Sequence, residues 1–191
     1  MKKAEKVLIV LLCAVLIMGA TVAGTFAFLT SRDSVQNTFT IGNVKITMDE
    51  AKVTEYGVKD GDSRVGANTY KLVPGQTYTK DPTVYVDGDS EPCFVFVKIE
   101  NGLGSDAALT MESGWAKIEE TGNTSVWVYG TAEAPKVLAA NSSATPFTSF
   151  TFGQNADPSA YSSAAINVTA YAIQSTDLDV TTSAAIWALL K

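Results

Sequence analysis

The sequence predicts an all-β fold, an antiparallel sandwich or jelly roll closed by a short helix, and three observations carry that expectation. Past residue 30 the apolar residues recur with period two, in runs rich in Val, Ile, Thr, Tyr and Phe. Gly, Asp, Asn and Pro punctuate these runs at short intervals. Strand runs follow one another without intervening helical periodicity, which excludes a βαβ arrangement. The length of 191 residues and a hydrophobic share of 46% fit one globular domain, with no repeat or linker to divide it.

Each element can be justified in turn. Val35, Phe39 and Ile41 occupy odd positions, whereas Val44, Ile46 and Met48 occupy even ones. A one-residue slip moves every side chain to the other face, so two separate strands meet at a bulge or turn at Gly42-Asn43. Turns are expected at Gly57, Asp60-Gly61-Asp62, Pro74-Gly75, Asp87-Gly88-Asp89, Asn101-Gly102 and Gly122-Asn123. Residues 93–99 are apolar at both phases before the polar end, as expected of a central strand covered on both faces. Further strands fall at 126–129, at Phe150 and Phe152, and at Ile166, Val168, Ala170 and Ala172. Only the end reads helical. Asp179 or Thr182 can cap a segment on which Thr182, Ile186, Leu189 and Leu190 share a face, with Lys191 at the negative end of the dipole.

The first 27 residues read as an address. Lys2, Lys3 and Lys6 precede an apolar run over 7–24, and Thr25-Phe26-Ala27 supplies the small-residue end of a secretory signal. The competing reading is an uncleaved membrane anchor, because the apolar stretch approaches the length that spans a bilayer and continues as Phe26, Phe28 and Leu29. Cys13 does not make a lipobox, since Leu12 stands where a small residue is needed. Cleavage after Ala27 would remove three Lys and Glu5, leaving 11 basic and 19 acidic residues, a net charge of −8. It would also leave Cys93 as the single cysteine, so no intramolecular disulfide is available and stability must come from a hydrophobic core.

Composition removes several function classes. The chain has no His, which excludes a Ser-His-Asp or Cys-His triad and an HExxH zinc helix. An acidic chain lacks the clustered Lys and Arg that neutralise phosphates, so nucleic acid is not an expected partner. The acidic segments at 59–63 and 86–90 offer oxygen ligands for Ca²⁺, but they lack the spacing and trailing Glu of an EF-hand loop and also match hairpin turns. Cys93 sits in an apolar strand and reads as a small core residue. Trp115, Trp127, Trp187, Tyr129 and Tyr171 could form a carbohydrate platform, although they fall on separate elements. No cofactor is expected.

Residues 24–50, GTFAFLTSRDSVQNTFTIGNVKITMDE, resemble the TasA/camelysin family of Gram-positive secreted proteins processed by the dedicated signal peptidase SipW. The shared features are a T-[YFW]-A-[YF]-[FL] junction, then N-T-F-x-x-G and an alternating strand. The stretches LVPGQTYTKDPTVYV at 72–86 and INVTAYAIQ followed by AAIWALL also look like that family, while 101–163 carry no family signature. The resemblance implies a jelly-roll sandwich over 42–191, cleavage between Ala27 and Phe28, and a donor strand over 28–41. It implies homopolymeric matrix fibres built by donor-strand exchange, with an accessory matrix protein as a further partner and membrane contact only through the uncleaved signal. Phe28, Leu29, Val35, Phe39 and Ile41 are the side chains such a strand would offer, with main-chain hydrogen bonds made along an exposed sheet edge. The alternative expectations are that 28–41 fold back as the first strand of their own domain, giving a monomeric module that binds carbohydrate or protein, or that the chain is a camelysin-like metallopeptidase. The last conflicts with the absence of His and the scattered carboxylates.

Overall fold

The computed structural model describes the backbone of residues 39–41 and residues 43–191. The signal-like segment, the Ala27–Phe28 junction, Leu29 and Val35 lie outside the described residues. The remainder is built of three sheets, and all strand pairs but one among the described residues are antiparallel. The main sheet runs in the order β1 (Phe39–Ile41), β13 (Ile166–Gln174), β6 (Cys93–Asn101), β9 (Thr124–Tyr129) and β8 (Trp115–Thr121), and β10 (Val137–Leu138) continues along the start of β6. The second runs β11 (Ser143–Ala144), β5 (Thr83–Val86), β2 (Ile46–Val53) and β3 (Lys59–Val65). The third is β4 (Thr77–Thr79), β12 (Phe147–Phe152) and β7 (Ala107–Met111).

β6 is the centre of the molecule, as its two-phase apolar pattern predicts. Cys93, Val95, Val97 and Ile99 face one way and meet Ile46 and Met48 of β2, Val84 and Val86 of β5, and Phe147. On its other face Phe96 joins Val126, Val128 and Ile173 beneath the C-terminal helix α1 (Ser183–Ala188), which contributes Ile186 and Trp187 and is followed by Leu190. Each such side chain removed from water stabilises the fold by about 1.5–3 kcal/mol, so sheet-on-sheet packing and a helix on the outer face both draw on β6. A third cluster of Tyr78, Phe150, Phe152, Leu103 and Ala107 packs the small sheet. There Tyr78 stacks on Phe150 with ring centroids 4.9 Å apart.

The phase slip at Gly42-Asn43 has a tertiary meaning: β1 belongs to the main sheet and β2 to the second. Two expectations are corrected. Asp60-Gly61-Asp62 is not a turn between strands but lies inside β3. Ala51 pairs Arg64 while Val53 pairs Lys59, so two steps along β2 oppose five along β3, and the surplus residues bulge outward with Gly61 at φ 74°. Edge position makes this tolerable, because nothing on the far side needs the ladder. In the helix the expected face changes, while the cap is Thr182 of the two candidates, its side chain accepting from the Ala185 N–H. The buried face is Ser183, Ile186, Trp187 and Leu190, whereas Leu189 is 48% exposed. Spacing i, i+3, i+4 selects either set, and the larger indole wins because it packs on Phe96 and Tyr171 while its N–H donates to Glu119.

Candidate strand-exchange edge

β13 uses its inner edge fully. All nine of its residues, from Ile166 opposite Asn101 to Gln174 opposite Cys93, pair with β6. Among the described residues its outer edge is paired only at one end, where β1 lies parallel with Phe39 opposite Tyr171, Thr40 opposite Ala172 and Ile41 opposite Ile173. Positions 166–170 of that edge have no strand partner among the described residues. A strand edge presents a row of N–H and C=O groups that template further pairing.

The other outer strands differ in how they are protected. β8 carries Lys117, Glu119 and Glu120 and has a register shift between Lys117 and Glu119. β3 carries Lys59, Asp60, Asp62 and Arg64 on top of its bulge. β11 has two residues and β4 three. β7 is uncharged but five residues long, in the small sheet. β13 spans nine residues, and Ile166, Asn167, Val168, Thr169 and Ala170 include no charge, Gly or Pro. Its side chains alternate: Ala170 and Ala172 are buried in the core between the sheets, and Ile173 packs toward α1.

The sequence-predicted positions separate on this framework. Phe39 and Ile41 lie on β1 at the main-sheet edge. Phe28, Leu29 and Val35 fall outside the described residues. Trp115 and Tyr129 contact each other at 5.6 Å and pack, with Trp127, against the core between the sheets. Trp187 and Tyr171 contact each other at 5.0 Å on the α1 side, so the five aromatic residues make no common platform. Cys93 is fully buried and free, and burial pushes its thiol up to about 11, far from thiolate chemistry at neutral pH. Asp60 pairs with Lys52 and Asp62 with Lys59, while Asp87 accepts the N–H of Asp89 in a local turn. Among the described residues no three Cys, Asp or Glu side chains gather as metal ligands.

One charged cluster was missed by sequence reasoning. On β2, Glu50 sits at the same phase as Ile46 and Met48 and is 3% exposed. Lys80 Nζ lies 2.7 Å from its Oε2, and the Asn68 amide donates to Oε1 at 3.0 Å. Alongside, Arg64 bridges Asp49 and Asp81 and also donates to the main-chain oxygens of both. Partial burial opposes the Arg64 charge, but the hydrogen bonds to Asp49 and Asp81 outweigh it and raise its pKa. Tyr70 is held protonated far above its ordinary value, first by burial and then by the nearby charges of Glu50 and Asp81. The signal that could have found this cluster was a carboxylate at a core-phase position, which demands a cation nearby. These pairs fasten β2, β3 and the segment before β5 to one another. Comparison with family models, curated proteins and solved structures returns no match.

Proposed function

We propose that this chain is a secreted structural subunit of extracellular matrix fibres, in which residues 28–41 of one copy complete a sheet of the next. The observation that carries the reading is the position of β1: among the described residues, Phe39–Ile41 is an edge strand lying parallel on the nine-residue β13. An edge strand pairs on one side only and so exchanges between copies more readily than an inner strand, and head-to-tail exchange yields an open filament. In this reading the sandwich is of jelly-roll type, the signal is removed after Ala27 by a SipW-type peptidase, and retention at the cell surface comes from assembly. The buried thiol and the paired carboxylates suit a structural role rather than catalysis.

A second reading is supported by the same strand. β1 pairs with β13 of its own chain, which is what a monomeric secreted or surface binding module would do with it. Removing residues 28–38 from the exported protein separates the two. Under the fibre reading, light scattering shows no growth and electron microscopy shows no filaments, whereas the full exported chain gives both. Filaments of unchanged length from the shortened chain would overturn the fibre reading.

A further inference from the structure

Which edge receives the exchanged strand, and in which register, follows from the pairing made at home. Exchange of an identical element between copies reproduces the contacts that the element makes within one copy. At home those contacts are parallel: 39 opposite 171, 40 opposite 172, 41 opposite 173. If a second copy entered in the same register, its residues 34–38 would stand opposite 166–170, the part of the edge with no strand partner among the described residues.

Resting on the fibre reading, we infer that the acceptor is the outer edge of β13, entered in parallel by residues 34–41 of a second copy with Val35 opposite Asn167. Three features of the molecule favour this edge. It is the longest uncharged outer strand described, lacking the Lys and Glu of β8 and the bulge of β3. Its inner side is fully paired to β6, so the added strand extends a rigid central sheet. The register also suits the apolar phase of the donor: Val35, Phe39 and Ile41 share the odd phase with Tyr171 and Ile173, which belong to the cluster beneath α1. The second copy takes the place of the home pairs made by Phe39, Thr40 and Ile41 on β13.

Mixing two variants with one added cysteine each tests this, because a mixed-tag product reports contacts between copies alone. Exported Val35→Cys and Asn167→Cys chains, carrying tags of different size, are polymerised together and treated with a short bifunctional maleimide. Cys93 is buried and stays silent in both. Partners for comparison are Thr169→Cys for a register shifted by two, Ala108→Cys on β7, Glu120→Cys on β8 and Asp62→Cys on β3. The expected result is a mixed-tag product for the 35/167 pair about tenfold above the other edges, as proximity raises the effective thiol concentration. Filaments whose Val35→Cys chains couple to Ala108→Cys, Glu120→Cys or Asp62→Cys, or to none of the partners, would overturn β13 as acceptor and leave the fibre reading standing. Preferential coupling to Thr169→Cys would overturn the register. Absence of filaments from the unmodified exported chain would remove both the inference and the reading beneath it.

Discussion

Lys80 and Glu50 form an ion pair 2.7 Å long in which the lysine side chain is 11% exposed and the carboxylate 4%. With the Asn68 amide on its other oxygen, Glu50 has both oxygens occupied in a region that water barely reaches. The pair ties β2 to the segment that leads into β5.

Breaking that pair from one side should be costly. Lys80→Met strands a buried carboxylate and is expected to destabilise the fold by about 3–5 kcal/mol. Replacing both partners, Glu50→Leu with Lys80→Met, should recover most of the loss, since no uncompensated charge remains. Urea denaturation midpoints of the three proteins decide it. Equal stability of wild type and Lys80→Met would show that the pair carries no such burden.

Two glycines with the same backbone angle should respond differently to alanine. Gly57 and Gly61 both have φ of 74°. A Cβ on Gly57 would lie 2.8 Å from the Cα of Tyr78, whereas one on Gly61 meets nothing within 4 Å. Gly61→Ala is therefore expected to cost only the left-handed backbone penalty, about 1–2 kcal/mol. Gly57→Ala adds a backbone collision beneath the Tyr78 ring and should lower the melting temperature markedly more. Similar melting temperatures for the two variants would contradict the close approach at Gly57.

Stability should fall in alkali through Cys93. Burial raises its folded pKa to about 11 from the ordinary 9.0, so the unfolded chain loses the proton first. Between these values the unfolded state binds fewer protons than the folded one, and stability declines as pH rises, by about 2–3 kcal/mol over the window. Burial of Tyr70 acts with the same sign at still higher pH. Cys93→Ala removes the thiol, so its deficit against wild type, measured by urea at pH 8 and again at pH 11, should narrow or reverse. Parallel pH profiles would rule out the thiol as the cause.

Much of the architecture could be read from the chain because its signals are local. The two-phase apolar run of β6 announced a strand buried on both faces, and every residue from Val95 to Val97 is fully buried. Thr182 announced a cap and supplies one. The misreadings share a cause. Asp60-Gly61-Asp62 has the residues of a hairpin turn, and only the register of β2 against β3 turned it into a bulge. Glu50 broke the alternation of β2 without revealing its partner, because Lys80 lies 30 residues away.

Alternation, turn chemistry and capping therefore settled that the chain is all-β with a closing helix, since each depends on neighbours within a few residues. Tertiary structure alone decided that β1 lies parallel on β13, a pairing that spans 132 positions of chain from Phe39 to Tyr171. It also decided that Trp187 rather than Leu189 turns inward, and that the long uncharged β13 has no strand partner along 166–170 of its outer edge among the described residues. The reason is physical. A strand's own residues specify that it is extended and which side is apolar, whereas its place in a sheet is chosen by competition among all edges that could satisfy its backbone.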